Sequence, residues 1–283
     1  MVESMRPLRS VLYIPASKQR ALEKARGLKA DAIIFDLEDA VSPTEKIAAR
    51  HTLSAALAEG GYGDRLRIVR INGLDTPWGR EDAALAQACD AVLVPKVGAA
   101  ADVSAAASLT GDTPLWAMIE TPQGVLNAAD IAQAPGMAGF VMGTNDLAKD
   151  LGARVGPDRV ELMQSLQMAL LAARMAGIPC IDGVFNAFKD EDGLRRECQQ
   201  GRDLGMDGKT LIHPAQIDIA NAVFAPDDDE VTLARRQISA FDEATARGEG
   251  VAVVDGRIVE NLHVETARKV LARADAIARL EAA

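Results

Sequence analysis

Eight short apolar runs recur along this chain at a spacing that few architectures accommodate. They are Ser10–Ile14, Ala32–Leu37, Arg67–Ile71, Ala91–Val94, Leu115–Ile119, Gly139–Met142, Ile178–Ile181 and Gly208–Ile212. None alternates cleanly with polar residues, which is the pattern of strands covered on both faces. Ala-rich stretches of helical length fill the gaps, near Lys18–Leu28, Pro43–Glu59, Gly79–Ala88, Ala99–Leu109, Gly124–Ala132, Asp158–Met175, Asp190–Leu204 and Pro214–Val223. Ser42-Pro43 reads as an N-cap and first-turn proline. Gly27, Gly60 and Gly177 fit helix C-terminal positions. Eight βα units predict an α/β fold, a (β/α)8 TIM barrel over residues 1–225. A doubly wound sheet would carry a G-x-G-x-x-G turn after an early strand, and the chain has none.

After Ala225 the alternation stops. Residues 226–283 read as a C-terminal helix–hairpin–helix extension. Its parts are a polar helix over Glu230–Arg247, a hairpin turning at Asp255-Gly256, and a last helix over His263–Leu280. Such an appendage is not expected to fold alone; it is expected to pack on the barrel, on a neighbouring subunit, or on both.

The 283 residues carry a net charge of −10, which argues against nucleic acid and anionic membrane surfaces as partners. No apolar stretch approaches the ~20 residues that span a bilayer, and no signal-peptide core follows the first residues. Cys89, Cys180 and Cys198 show no C-x-x-C spacing, which fits a reducing cytoplasm rather than a disulfide framework or structural zinc.

In TIM barrels the chemistry sits at the C-terminal strand ends. Here those ends carry Tyr13, then Asp36, Glu38 and Asp39, then Arg70 and Asn72, then Lys96, Glu120, Asn145 and Asp146, Asp182, and His213. Each has a structural reading alone: Asp146 can cap a short helix, Glu120 can be a loop acid, and Arg70 and Lys96 can neutralise the acids. Together they suggest a hard divalent cation such as Mg²⁺, which binds a few carboxylates and keeps waters for substrate oxygens. Arg70 offers a planar donor fork to a carboxylate or oxyanion. Lys96 opens a second route, a Schiff-base aldolase, though an acidic rim would keep it protonated. Ser17, Lys18, Arg20, Lys24, Arg26 and Lys29 form a local basic patch that suits a phosphate-rich handle such as coenzyme A.

Seven segments in register carry a resemblance: Arg9–Pro15, Asp36–Val41, Val69–Gly73, Val94–Val97, Ile119–Thr121, Gly143–Leu147 and Ile212–Gln216. They resemble the citrate-lyase β-subunit-like group of the HpcH/HpaI aldolase superfamily. The resemblance implies a barrel that binds Mg²⁺ (or Mn²⁺) and acyl-CoA thioesters. It implies Glu120 and Asp146 as metal ligands, with Glu120 also beside the substrate, and Arg70 on the acyl group. Glu38 and Asp39 would sit behind the metal waters. Tyr13, Lys18 and Lys24 would contact CoA, with Asn145, Ile212 and His213 as further substrate contacts. It also implies a homotrimer or hexamer whose tail caps a neighbour's site.

Glu260 stands where lyases of the group place a catalytic aspartate. The extra methylene shifts the carboxylate by about an ångström, enough to affect proton transfer. The whole-chain pattern is similar to members that hydrolyse (3S)-malyl-CoA to malate and free CoA. The alternative is a lyase that cleaves malyl-CoA or citramalyl-CoA to acetyl-CoA and a 2-oxo acid. A metal-free binding subunit would leave the acidic rim without a purpose.

Overall fold

The computed structural model describes residues 6–282. Strands β1 (Ser10–Pro15), β2 (Ala32–Asp36), β3 (Leu66–Arg70), β4 (Ala91–Val94), β5 (Leu115–Ile119), β6 (Met137–Met142), β7 (Cys180–Asp182) and β8 (Gly208–Leu211) form a closed parallel barrel. Strand β8 returns to pair with β1 through Ser10 and Lys209. The expected TIM barrel is therefore present.

The pleat sorts each strand into two sets of side chains. Val11, Ile34, Ile68, Trp116, Met118, Val141 and Ile181 pack together inside the barrel. Leu12, Ile33, Phe35, Val69, Ala117, Ile119 and Phe140 pack outward with helix residues such as Leu22 and Leu53. Both faces being apolar explains the missing alternation in the sequence. The Trp116 ring fits inside because Gly139 on β6 has no side chain; a Cβ there would lie 2.6 Å from the ring.

The surrounding helices are α1 (Gln19–Ala25), α2 (Lys46–Glu59), α3 (Gly79–Asp82), α4 (Ala100–Thr110), α5 (Pro122–Leu126), α6 (Ala128–Ala132), α7 (Thr144–Leu151), α8 (Met163–Ala176), α9 (Glu191–Leu204) and α10 (Ile217–Phe224). Several depart from the sequence expectation. Helix α2 starts after Glu45, and Ser42 Oγ donates to the Glu45 carboxylate (2.9 Å) instead of capping the helix. The third expected helix tightens into a 3₁₀ turn at Ala83–Ala88, just past Asp82, which is tied to Arg50 and Asn72. The fifth breaks at Asn127, whose Nδ2 donates to Gly98 O (2.7 Å). Ile178 belongs to no strand, because its N–H closes the end of α8 on Ala173 O (3.0 Å). Helix α7, directly after β6, is missing from the expected helical stretches, although the reading of Asp146 as a cap allows a short helix there.

The described chain divides into two compact units, Leu8–Phe224 and a second that runs from Ala225 onward with Arg6 and Pro7. The second holds α11 (Asp228–Ala246), β9 (Ala252–Val254), β10 (Arg257–Val259) and α12 (Asn261–Ala282). Asp255 and Gly256 both have positive φ, 50° and 75°, the backbone of a type I′ hairpin turn. Ala244, Ala252, Val254, Val259 and Val264 form its own small core. Among the described residues, no helix is long and apolar enough to cross a membrane.

Candidate active site

The pleat that packs the barrel interior also aims the candidate site. Tyr13, Asp36, Arg70 and Glu120 each lie two residues beyond an inward-facing residue, Val11, Ile34, Ile68 and Met118. They therefore share its direction and end at the C-terminal mouth. There they line a cavity of about 300 Å³ with Asp39, Met118, Thr144, Asn145, Asp146, Asn186 and Ile212. Among the described lining residues, four carboxylates (Asp36, Asp39, Glu120, Asp146) face one guanidinium, Arg70.

Asp36 and Arg70 are direct neighbours in the β2–β3 register. Arg70 Nε and Nη2 both donate to the Asp36 carboxylate at 2.7 Å. Nη1 turns the other way, 2.8 Å from Glu38 Oε2 and 3.3 Å from Asp39 Oδ2. The Tyr13 ring stacks against the guanidinium at 5.0 Å. The donor fork expected to face a ligand is thus engaged by Asp36, which leaves the Nη1 side toward the loop acids. Asp36 also accepts from Glu38 N (2.9 Å) and Ala40 N (3.1 Å), so one buried acid sets both the guanidinium and the β2 loop.

Glu120 is only 2% exposed. Its Oε1 accepts from Lys96 N at 2.7 Å. Burial pushes its carboxyl up to about 7; the Lys96 amide and Arg70 oppose the rise, and Asp146 adds to it. Glu38 is also pushed up to about 7, first by burial, against Arg70 and with Asp39, Glu120 and Asp36 adding. Two buried carboxyls held this high mark a site short of positive charge. A hard cation would supply it. Among the described residues no group of three or more His, Cys, Asp or Glu side chains could hold a metal. The Glu120–Asp146 pair suits an ion that takes few protein ligands and keeps its waters.

Lys96 is 57% exposed, with its ammonium 4.0 Å from Glu38 Oε1. Partial burial would lower its pKa, but Glu38, Asp146, Glu120 and Asp39 raise it above the ordinary lysine value. It stays protonated, which disfavours the Schiff-base route. Asn145 pairs reciprocally with Asn186 at 2.8 and 3.3 Å across the cavity wall.

Other expected site residues lie apart. Lys18 and Lys24 are exposed on the β1–α1 turn and α1, outside the cavity lining. His213 is exposed and stacks on Phe188 at 4.7 Å. Glu260 belongs to the second compact unit, where its N–H donates to His263 Nδ1 (3.0 Å). Asp182 does not reach the rim as its strand-end position suggested. It follows outward-facing Cys180 by two residues and is buried against Arg159 Nη1 (2.8 Å) and Lys209 Nζ (2.9 Å). Asn186 lines the cavity although no motif in the sequence marks it, Thr144 lines it from within the Gly143–Leu147 segment without being an expected site residue, and Asp36 holds the guanidinium, a role its strand-end position alone does not assign.

The sequence profile of the HpcH/HpaI aldolase/citrate lyase family matches residues 9–214. This chain belongs to the HpcH/HpaI aldolase/citrate lyase family. Within the family it is 63% identical to a Cereibacter sphaeroides protein named (3S)-malyl-CoA thioesterase, over 100% of both chains. It is 36% identical to the citrate lyase subunit beta of Escherichia coli, over 95% of this chain and 94% of that one. Among solved structures it resembles CitE from Mycobacterium tuberculosis in complex with magnesium, acetoacetate and coenzyme A, with TM-score 0.77 and 29% identity over 94% and 97% of the two chains.

Proposed function

We propose that this family member hydrolyses (3S)-malyl-CoA to malate and free CoA, using Mg²⁺ with Mn²⁺ as the other candidate ion. The full-length similarity to the proteins named (3S)-malyl-CoA thioesterase carries this reading. The excess of carboxylates over cations in the cavity supports it. Glu120 and Asp146 would hold the ion. When bound, it would polarise and orient the oxygens of the substrate.

The chain's own residues do the rest. Arg70, fixed by Asp36, presents Nη1 to the thioester oxygen as charge develops there. Glu38 and Asp39 hold that nitrogen in place until the substrate arrives. Glu260 of a neighbouring subunit takes a proton from water as its oxygen bonds to the carbonyl carbon. The carbon–sulfur bond then breaks, and the thiolate takes the proton up. Lys18 and Lys24 meet the CoA phosphates, with Ile212 and His213 flanking the handle. The assembly is a homotrimer or hexamer in which the residues after 225 cap the neighbour's cavity. Free Cys89, Cys180 and Cys198 support a cytoplasmic setting.

Incubation with malyl-CoA decides between two reactions. Hydrolysis yields malate and free thiol in equal amounts. The alternative, supported by likeness to citrate lyase subunits, is carbon–carbon cleavage. Glyoxylate and acetyl-CoA as products would replace the thioesterase reading with it. Glu260→Gln should lower kcat by about 10²-fold while Mg²⁺ binds as before; an unchanged kcat would remove Glu260 from the mechanism.

The metal must also compete with protons. Glu120, raised to about 7, binds a cation only when ionised. Mg²⁺ affinity should therefore be level above pH 7 and fall by up to about tenfold per unit below it. Calorimetric titration between pH 5.5 and 8.5 checks this; an affinity flat across that range would contradict it.

A further inference from the structure

Lys96 holds a backbone conformation that its side chain does not explain. Its φ is 51°, in the left-handed region that Cβ-bearing residues rarely adopt. The ammonium is more than half exposed, and it stands 4.0 Å from the Glu38 carboxylate, too far for a hydrogen bond. The amide is better placed. At the end of β4 the chain turns left-handed, and the Lys96 N–H donates to buried Glu120 Oε1 at 2.7 Å. The turn is held from behind: Gly98 N donates to Asp102 Oδ2 (2.8 Å), and Asn127 Nδ2 donates to Gly98 O (2.7 Å). Such support is what lets a strained residue persist.

The other side of Glu120 is shaped by an absence of side chain. A Cβ on Gly143 would lie 2.3 Å from Glu120 Cβ and 2.5 Å from its Oε2. The carboxylate is thus held between the Lys96 amide on Oε1 and the bare Cα of Gly143 beside Oε2. Two loops, after β4 and after β6, fix the orientation of a single side chain.

We propose that Lys96 is a positioning residue whose left-handed backbone, rather than its ammonium, orients Glu120 for the divalent cation. This rests on Glu120 being a cation ligand, as proposed above. The role makes an unusual prediction about substitution. Residues that enter the left-handed region readily should replace Lys96 whatever their charge, and a β-branched residue should not.

The test is calorimetric Mg²⁺ titration of the full-length Lys96→Gly, Lys96→Asn, Lys96→Ala and Lys96→Val proteins, with kcat and KM measured alongside. Gly and Asn should hold the Mg²⁺ dissociation constant within about threefold of the parent. Val should weaken it by about tenfold or more, the scale of losing an outer partner of a metal ligand. Ala should fall between, and its ordering against Gly decides the matter if the Val protein does not fold. The kinetic loss should appear in kcat, with the KM for the CoA ester little changed.

Equal losses in the Gly, Ala and Val proteins would assign the role to the ammonium and overturn the proposal. So would parent-like Mg²⁺ affinity in the Val protein. Glu120→Gln separates the premise from the proposal. If it binds Mg²⁺ as tightly as the parent, the ligand assignment itself fails; if it loses Mg²⁺, the Lys96 series alone decides.

Discussion

Glu120→Gln is expected to abolish Mg²⁺ binding and to lower kcat/KM for malyl-CoA hydrolysis by more than about 10²-fold, since even outer partners of metal ligands cost 10–100-fold. The substitution keeps the volume and leaves an amide oxygen for the Lys96 N–H, so the fold should survive. Stability should move the opposite way from activity. The Glu120 carboxyl sits near 7 in the folded chain against an ordinary 4.5. As pH rises from 4.5 to 7 the unfolded chain ionises first, so the native state loses stability through that window. The loss is on the order of 3 kcal/mol, since each tenfold change in proton affinity is worth about 1.4 kcal/mol. The metal-free Gln protein should therefore melt above the parent at pH 8, and the gap should close by pH 4.5. Thermal melts at both pH values, with Mg²⁺ titration of each protein, check the two halves together. Full hydrolysis by the Gln protein, or a lower melting point at pH 8, would remove Glu120 from the centre of the site.

The barrel was legible because eight apolar runs at βα spacing have few other solutions. The rim was legible because the same spacing identifies the strand ends. Direction was harder to read. Asp36 and Asp182 are both acids at strand ends, yet one faces the cavity and the other the helix layer. A run apolar on both faces gives no sign of which residues point inward, and β7 spans only Cys180–Asp182. Pairing across strands was hidden for a related reason. Nothing in the linear order says that Asp36, among the acids Arg70 could neutralise, is the one beside it that takes two of its N–H donors. The left-handed turn at Lys96 was invisible because lysine is not a residue that signals positive φ. Helix α7 was hidden because Gly143-Thr144-Asn145 has the composition of a turn, although Asp146 lies in the helix's first turn.

Arg70→Met should cost both stability and activity, for separable reasons. The side chains of Arg70 and Asp36 are 8% and 2% exposed. Removing the guanidinium leaves Asp36 buried without its charge partner and takes a neighbour from Glu38 and Asp39. Breaking a buried pair in this way costs about 3–5 kcal/mol. For a chain of this size that corresponds to a fall in melting temperature of about 10 °C. Hydrolysis should fall by about 10³-fold, because the donor at the developing oxyanion is lost. The double change Asp36→Asn with Arg70→Met distinguishes the two effects. An asparagine at 36 bears no charge, and its single oxygen can still accept from Glu38 N, while its NH2 group would face Ala40 N, which bonds the other oxygen of Asp36; part of the lost melting temperature should therefore return. Activity should not, because the catalytic demand is for a donor at Nη1, and neither change restores one. If the double variant regained hydrolysis along with stability, Arg70 would be shown to serve only as the counter-charge of Asp36, and the oxyanion would have to be met by another group in the cavity.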